Sequence, residues 1–266
     1  MLLAQAESKT IIFGAPQSMA VRLSHPLART VTVPRRRFPS QFVFPDPNHA
    51  DADGLVAYGG DLSPQRLLAA YAQGIFPWPH SDAWPLLWFS PDPRVVLLPA
   101  DIHVSRSLQK TLRKRLFEVR LDTAFAQVIQ HCANTPRPGQ RGTWITADMI
   151  RAYSILHELG FAHSAEAWTD GELIGGVYGI SLGAAFFGES MFTHRSDASK
   201  VAFVQLVRQL QAWEFHFMDC QMHTTHLAHF GAVAWPRKQF LRVLGQALQV
   251  PTRRGRWTLS QDASEA

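Results

Sequence analysis

Thiol chemistry is scarce in this sequence: Cys132 and Cys220 are its only cysteines. Two cysteines in 266 residues exclude a disulfide scaffold and fit a reducing compartment. Long apolar runs are also missing. Met1-Leu2-Leu3 gives way to Gln5, Glu7 and Lys9, and no later window reaches the length of a membrane span. The expectation is a soluble cytoplasmic protein with no membrane partner. There is no glycine-rich Walker phosphate loop, because Gly175-Gly176 falls within strand-like sequence, which argues against nucleotide hydrolysis. Internal repeats and low-complexity tracts are absent as well.

What is present is apolar and aromatic. The hydrophobic fraction is 46%, enough for a sizeable core, and eight Trp and seventeen Phe supply large buried surfaces. Lys and Arg number 26 against 21 Asp and Glu, a net +5 that permits a polyanionic partner without requiring one.

Residues 1–37 combine Pro16, Pro26 and Pro34 with a terminal Arg35-Arg36-Arg37 and show no sustained periodicity. They are expected to form a disordered extension, the alternative being a basic arm that touches RNA. From 38 to 140 helix and strand signals mix. Ser63 before Pro64, with Leu67, Leu68 and Tyr71 following and Gly74 closing, predicts a helix. The Pro- and Trp-rich pieces 75–79 and 88–94 read as a packed, rigid loop. A strand at 95–98, a helix opened by Ser105, a strand at 117–121 and a helix over 123–133 follow.

A loop at 135–142 marks a soft boundary. In 141–250, Thr146 and Asp148 start a helix carrying Ile150, Tyr153, Leu156 and Leu159. Turns at Asp170-Gly171 and Leu182-Gly183 divide 163–192 into a three-strand meander. Asp197 caps an amphipathic helix burying Phe203, Leu206, Val207, Leu210 and Trp213; a strand at 215–219 and a helix over 236–248 complete the region. Residues 251–266, with Arg253, Arg254 and Arg256, are expected to be a frayed tail. The class is α+β, and meander, helix, strand, helix is an acetyltransferase-like order.

Several clusters have two readings. His223, His226 and His229 beside Cys220 suggest metal ligands, but the His-Glu-x-x-His spacing is missing and no cysteine pair completes a site, so no metal is expected. As a nucleophile Cys220 needs a base and an oxyanion hole; its place at a strand end fits a core residue better. The helix bearing Arg106, Lys110, Arg113 and Lys114 is either a solvated face or a contact for RNA phosphates. Trp78, Trp84, Trp88 and Trp144 are core residues or stacking platforms for a nucleobase, Trp78 and Trp144 being the better platforms. A non-catalytic RNA-binding protein and a coenzyme A acyltransferase both remain open at this level.

Longer words narrow the choice. They are Gly54 to Pro64 (GLVAYGGDLSP), Ala70 to Trp78 (AYAQGIFPW), Trp88 to Arg94 (WFSPDPR), Gly142 to Thr146 (GTWIT), Gly188 to Phe192 (GESMF), Ala198-Ser199-Lys200 and Asp219-Cys220-Gln221. In this order, between about 38 and 248, they resemble the bacterial leucyl/phenylalanyl-tRNA protein transferase family. The resemblance implies a small N-terminal α/β domain followed by a domain like those of GCN5-related acetyltransferases. It implies transfer of Leu or Phe, and less readily Met, from leucyl-tRNA or phenylalanyl-tRNA to proteins beginning with Arg or Lys. Those proteins are thereby marked for degradation by the N-degron route. No cofactor is implied, and a monomer is expected.

The resemblance also assigns residues. Asp219 would polarise or orient Gln221, whose amide holds the incoming amine. Glu189 would meet the ammonium of the aminoacyl group, and Phe186 and Met191 would wall its side-chain pocket. Trp78 and Trp144 would flank the terminal adenosine, with Tyr71 in the same substrate-binding set. Arg113 and Lys114, with Lys110 and Arg106 on the same helix, would contact the tRNA. The final proton acceptor stays open among water, Asp219 through Gln221, and the 2′-hydroxyl of the adenosine. Thr224 stands where some members carry Asn, and the segment before Phe38 has no evident family counterpart.

Overall fold

The computed structural model describes residues 9–12, 43–79, 85–135 and 144–260. Trp84, most of the loop expected at 135–142, residues 261–266 of the tail, and the N-terminal extension apart from 9–12 lie outside the described residues.

The centre is the meander β7 (Ala162–Thr169), β8 (Glu172–Leu182) and β9 (Ala185–Thr193), all antiparallel. Asp170 and Gly171 both have positive φ, 52° and 78°, as a tight turn matched to strand twist requires. β6 (Glu118–Leu121) extends the sheet beyond β7. On the other side β10 (Phe217–Gln221) runs parallel to β9, followed by β5 (Arg94–Leu97) and β11 (Val233–Trp235), both antiparallel to their neighbours. The order is β11-β5-β10-β9-β8-β7-β6, and β1 (Lys9–Ile12) pairs with the end of β9. β5 and β6 precede residue 141, so the boundary expected there runs through the sheet.

Both faces of the sheet are covered, which is why β8 and β9 read as nearly continuous apolar runs. α2 (Arg106–Arg113) and α5 (Ala198–Ala212) bury Leu108, Phe203, Leu206 and Leu210 in one cluster, with Val177, Phe186 and Met191 from the sheet. The other cluster joins α1 (Pro64–Tyr71), α3 (Phe125–Asn134), α4 (Ala147–Glu158) and α7 (Arg237–Ala247) to Tyr178, Phe187 and Phe192. The expected rigid loop at 75–94 instead contributes strands. β2 (Leu55–Tyr58), β3 (Phe76–Pro77) and β4 (Leu87–Phe89) form a small antiparallel sheet, anchored by Trp88, whose Nε1 donates to Gly59 O at 2.9 Å.

Two ends differ from expectation. Lys9–Ile12 is a strand, so the expected disorder does not hold for those four residues. The tail is docked as far as Ser260: Trp257 is buried and stacks on His163 with centroids 3.6 Å apart, and Ser260 N donates to Gln209 at 2.7 Å. An indole buried among Phe186, Trp213 and Phe215 holds that segment down. Asp197 occupies the N-cap position of α5 without capping it; its carboxylate instead accepts from Lys200 and Thr111.

Candidate active site

Two irregularities in neighbouring strands create the site. β8 pairs Tyr178 with Ser190 and Gly179 with Gly188, leaving Glu189 as an extra residue on β9. β5 pairs Val96 with Asp219 and Val95 with Gln221, leaving Cys220 as an extra residue on β10. Bulges re-aim side chains and end regular pairing. β9 and β10 are in register only from Ala185 to Phe187, and Gln221, with φ 62°, turns β10 away.

Asp219 is fully buried and paired with fully buried Arg94. Arg94 Nε donates to Oδ1 at 2.8 Å and Nη2 to Oδ2 at 2.6 Å, a two-point pairing of guanidinium and carboxylate. Arg94 Nη1 donates to Gly74 O at 3.0 Å, and the guanidinium lies near the rings of Phe76 and Phe240. Asp219 Oδ1 also accepts from the backbone N–H of Gln221 at 2.8 Å. Asp219 therefore fixes the left-handed backbone at Gln221. The Gln221 amide points elsewhere, its Nε2 donating to Gly188 O at 3.1 Å and to Glu189 Oε1 at 3.2 Å.

Glu189 is the meeting point of three distant elements. The Tyr71 hydroxyl from α1 donates to Oε1 at 2.6 Å and Tyr153 from α4 approaches Oε2 at 3.3 Å, with the two phenol oxygens 2.5 Å apart. Burial pushes the carboxyl up to about 8; the Tyr71 bond opposes this, the nearby charge of Asp219 adds to it, and Tyr153 and Arg94 oppose it. Burial, with the Glu189 charge, raises both tyrosines above their ordinary value. This leaves a carboxyl that changes protonation near neutrality, next to a primary amide. Such a pair can hold an amine or exchange a proton with one.

Of the residues expected from sequence, Asp219, Gln221, Glu189 and Tyr71 come together here. Phe186 and Met191 do not, since both are fully buried in the α5-side cluster. Across the extra residue Glu189 the alternation of β9 shifts, so Phe187 and Phe192 face the α3–α4 side instead, and the Phe187 ring lies 5.1 Å from Tyr71. Trp78 and Trp144 are partly buried against the core cluster that contains Tyr71 and Phe187, Trp78 lying 5.6 Å from Phe89.

Arg106, Lys110 and Arg113 are exposed on α2 and Lys114 at its C-cap, and Leu108 of that helix packs into the α5-side cluster. A cavity of about 750 Å³ beside that helix is lined by Arg113, Arg115, Gln205 and Arg208. Cys220 is fully buried, and burial raises its thiol pKa, as a core role predicts. Thr224 caps α6 (Thr225–His229), its Oγ1 accepting from Leu227 N at 3.1 Å. No group of three or more His, Cys, Asp or Glu suited to a metal occurs among the described residues.

Sequence similarity points the same way as these residues. The family model for leucyl/phenylalanyl-tRNA protein transferase matches residues 96–245, more than half of the chain, and that for the family's N-terminal domain matches 60–92. The chain belongs to the leucyl/phenylalanyl-tRNA protein transferase family. A relative bearing that name in Myxococcus xanthus is 61% identical over 216 residues, covering 81% of this chain and 92% of its own. Another in Nitratidesulfovibrio vulgaris is 57% identical over 220 residues, covering 83% and 94%. Among solved structures, L-PGS from Bacillus licheniformis aligns with a TM-score of 0.34 at 8% identity, over 55% of this chain and 45% of that one. A likeness that distant supports nothing further.

Two members of the site in this family chain were not singled out from sequence. Arg94 ends the WFSPDPR word and begins an otherwise apolar strand, so a charge with no surface to reach was its signal. Tyr153 was read as one more apolar position of α4; its hydroxyl gave no sequence signal.

Proposed function

We propose that this chain transfers a leucyl or phenylalanyl group, and less readily methionyl, from aminoacyl-tRNA to the α-amine of a protein beginning with Arg or Lys, marking it for degradation. The observation that carries the reading is the buried set Glu189, Gln221, Tyr71 and Tyr153, held by the Arg94–Asp219 pair within a member of this family. The ester donor is already activated, and the attacking amine has an ordinary pKa of about 7.7 to 8.0, so positioning is most of the task. The amine attacks the ester carbonyl, a C–N bond forms, the C–O bond to the adenosine breaks, and the released hydroxyl takes a proton. Glu189, with a carboxyl near 8, is matched to either ammonium in that exchange. Asp219 serves as a positioning residue for Gln221, since its oxygens are committed to Arg94 and a backbone N–H.

Phe186 and Met191 are assigned to the wall of the aminoacyl side-chain pocket, and Phe187, beside Tyr71, is a further candidate. Trp78 and Trp144 are assigned to the terminal adenosine, where stacking is worth about 1 to 3 kcal/mol. The cations of α2 are assigned to tRNA phosphates, which add affinity without reading bases. An acetyltransferase-like unit is supported by parallel β9 and β10 parting at the site, in a sheet that takes β5 and β6 from before residue 141. No described helix is long and apolar enough to cross a membrane, which accords with a cytoplasmic setting.

The test is transfer of radiolabelled leucine from leucyl-tRNA to a protein beginning with Arg, beside a protein beginning with Gly and the Asp219→Ala variant. Label on the Arg protein alone, much reduced in the variant, is expected. Bound leucyl-tRNA without any transfer would favour a non-catalytic tRNA-binding protein.

A further inference from the structure

Beyond Phe187, β10 no longer covers the edge of β9 that faces away from β8. From Ser190 to Thr193 that edge is taken by β1, antiparallel, with Ile12 opposite Ser190 and Lys9 opposite Thr193. The stretch begins one residue past Glu189. It is therefore an edge of backbone donors and acceptors that starts at the reaction centre and leads away from it.

We propose that the β9 edge from Ser190 to Thr193 is the docking track for the acceptor protein, whose first few residues pair there as an added strand in place of Lys9–Ile12. The inference rests on the transfer reading above. An acceptor must present its α-amine beside Glu189 and Gln221 and lead its body away. Along this edge that means running in the sense of β9, as a parallel strand continuing the line of β10. Main-chain pairing suits an enzyme whose acceptors share a first residue and little else, because strand addition draws affinity from the backbone and leaves selectivity to side-chain pockets. The edge already carries an extended segment of this chain. Lys9–Ile12 lies outside the residues that the family models match, 60–92 and 96–245. It is a tethered competitor, present at the high effective concentration of a linked segment.

Peptides beginning with Arg, with one backbone amide at a time among residues 2 to 5 replaced by an ester, lose a single N–H donor and little else. With the full-length protein, KM should rise about three- to tenfold at alternate positions with kcat unchanged, the effect of one hydrogen bond. The same KM at every position would overturn the track. In the full chain, the double variant Thr10→Pro/Ile11→Pro removes the one N–H of this neighbouring pair that faces β9 and disfavours the strand, and should lower KM for the unmodified peptide at least about threefold. An unchanged KM would overturn the competitor. No label on the unmodified peptide would instead sink the transfer reading, and this inference with it.

Discussion

Two buried carboxylate networks are built into this fold, and they differ in how their charges are matched. Around Asp122 and Glu166 every carboxylate oxygen has close donors. Asp122 accepts from His163 Nδ1, Ser164 N and Trp257 N at 2.7 to 2.9 Å. Glu166 accepts from the Thr123 hydroxyl at 2.6 Å, the Ser164 hydroxyl at 2.5 Å, and the Thr123 and Ala124 backbone at the start of α3. This network ties a strand, a helix start and the C-terminal segment together. Around Asp219 and Glu189 the matching is uneven: Asp219 has a guanidinium, while Glu189 has two phenols and an amide and is left with a pKa near 8. Burial raises the Glu166 carboxyl as well, but its oxygens are taken up by hydroxyls and backbone N–H groups that hold structure, whereas Glu189 sits beside the Gln221 amide where β9 and β10 part.

The largest effects should come from breaking each network at its anchor. Trp257→Ala should cost about 3 to 5 kcal/mol in urea unfolding, as for a buried aromatic ring, with kcat for transfer kept below the transition. Arg94→Met should cost a similar amount, about 3 to 5 kcal/mol, by leaving Asp219 buried without its partner. It should also abolish transfer in the protein that remains folded. Equal loss of kcat in both variants would erase the distinction between the networks.

Next in size is Glu189→Gln, which keeps the shape and removes the titration. Transfer should fall about a hundredfold in single-turnover assays, within the range for a lost acid or base.

The pH dependence of stability should separate Glu189 from His163 by sign. Glu189 keeps its proton to about pH 8 when folded and to about 4.5 when unfolded. The folded state binds the extra proton between those values, so its contribution is whole below about 4.5 and is lost as pH climbs towards 8. His163 is the opposite case: burial depresses its folded pKa, so its contribution is whole above its ordinary value and is lost as pH falls below it. Urea midpoints measured from pH 4 to 9 should therefore show a shallower alkaline slope in Glu189→Gln and a shallower acid slope in His163→Asn, the remainder coming from Glu166 on one side and from His131, His194 and His226 on the other. The smallest effect belongs to Thr224→Ala, which should cost about 1 kcal/mol as a lost helix cap and leave transfer unchanged.

Much of this was legible in the sequence where local chemistry is decisive. Asp170-Gly171 marked a turn because few other pairs tolerate two positive φ values, and the apolar stripe from Phe203 to Leu210 marked α5 through its periodicity. What escaped depends on contacts across the sheet. The bulge at Glu189 is set by pairing with β8, and a one-residue offset reverses which side chains face which way, so that Met191 belongs to the α5-side cluster and Phe192 to the other could not be read from the sequence. Arg94 and Asp219 are 125 residues apart, and nothing local to either names the other. Trp257 sits among arginines that read as a frayed tail, and only the cleft beside His163 shows why it is held.

That separation has a consequence in time. On the ribosome, at about 5 to 20 residues per second, Arg94 emerges roughly 6 to 25 seconds before Asp219. Over that interval the nascent chain carries Tyr71, the aromatic loops and an unanswered guanidinium, but no β10 to receive them. The candidate site is thus completed only late in synthesis, and a chain cut short before Asp219 leaves the Arg94 guanidinium without its partner and lacks the Gln221 amide.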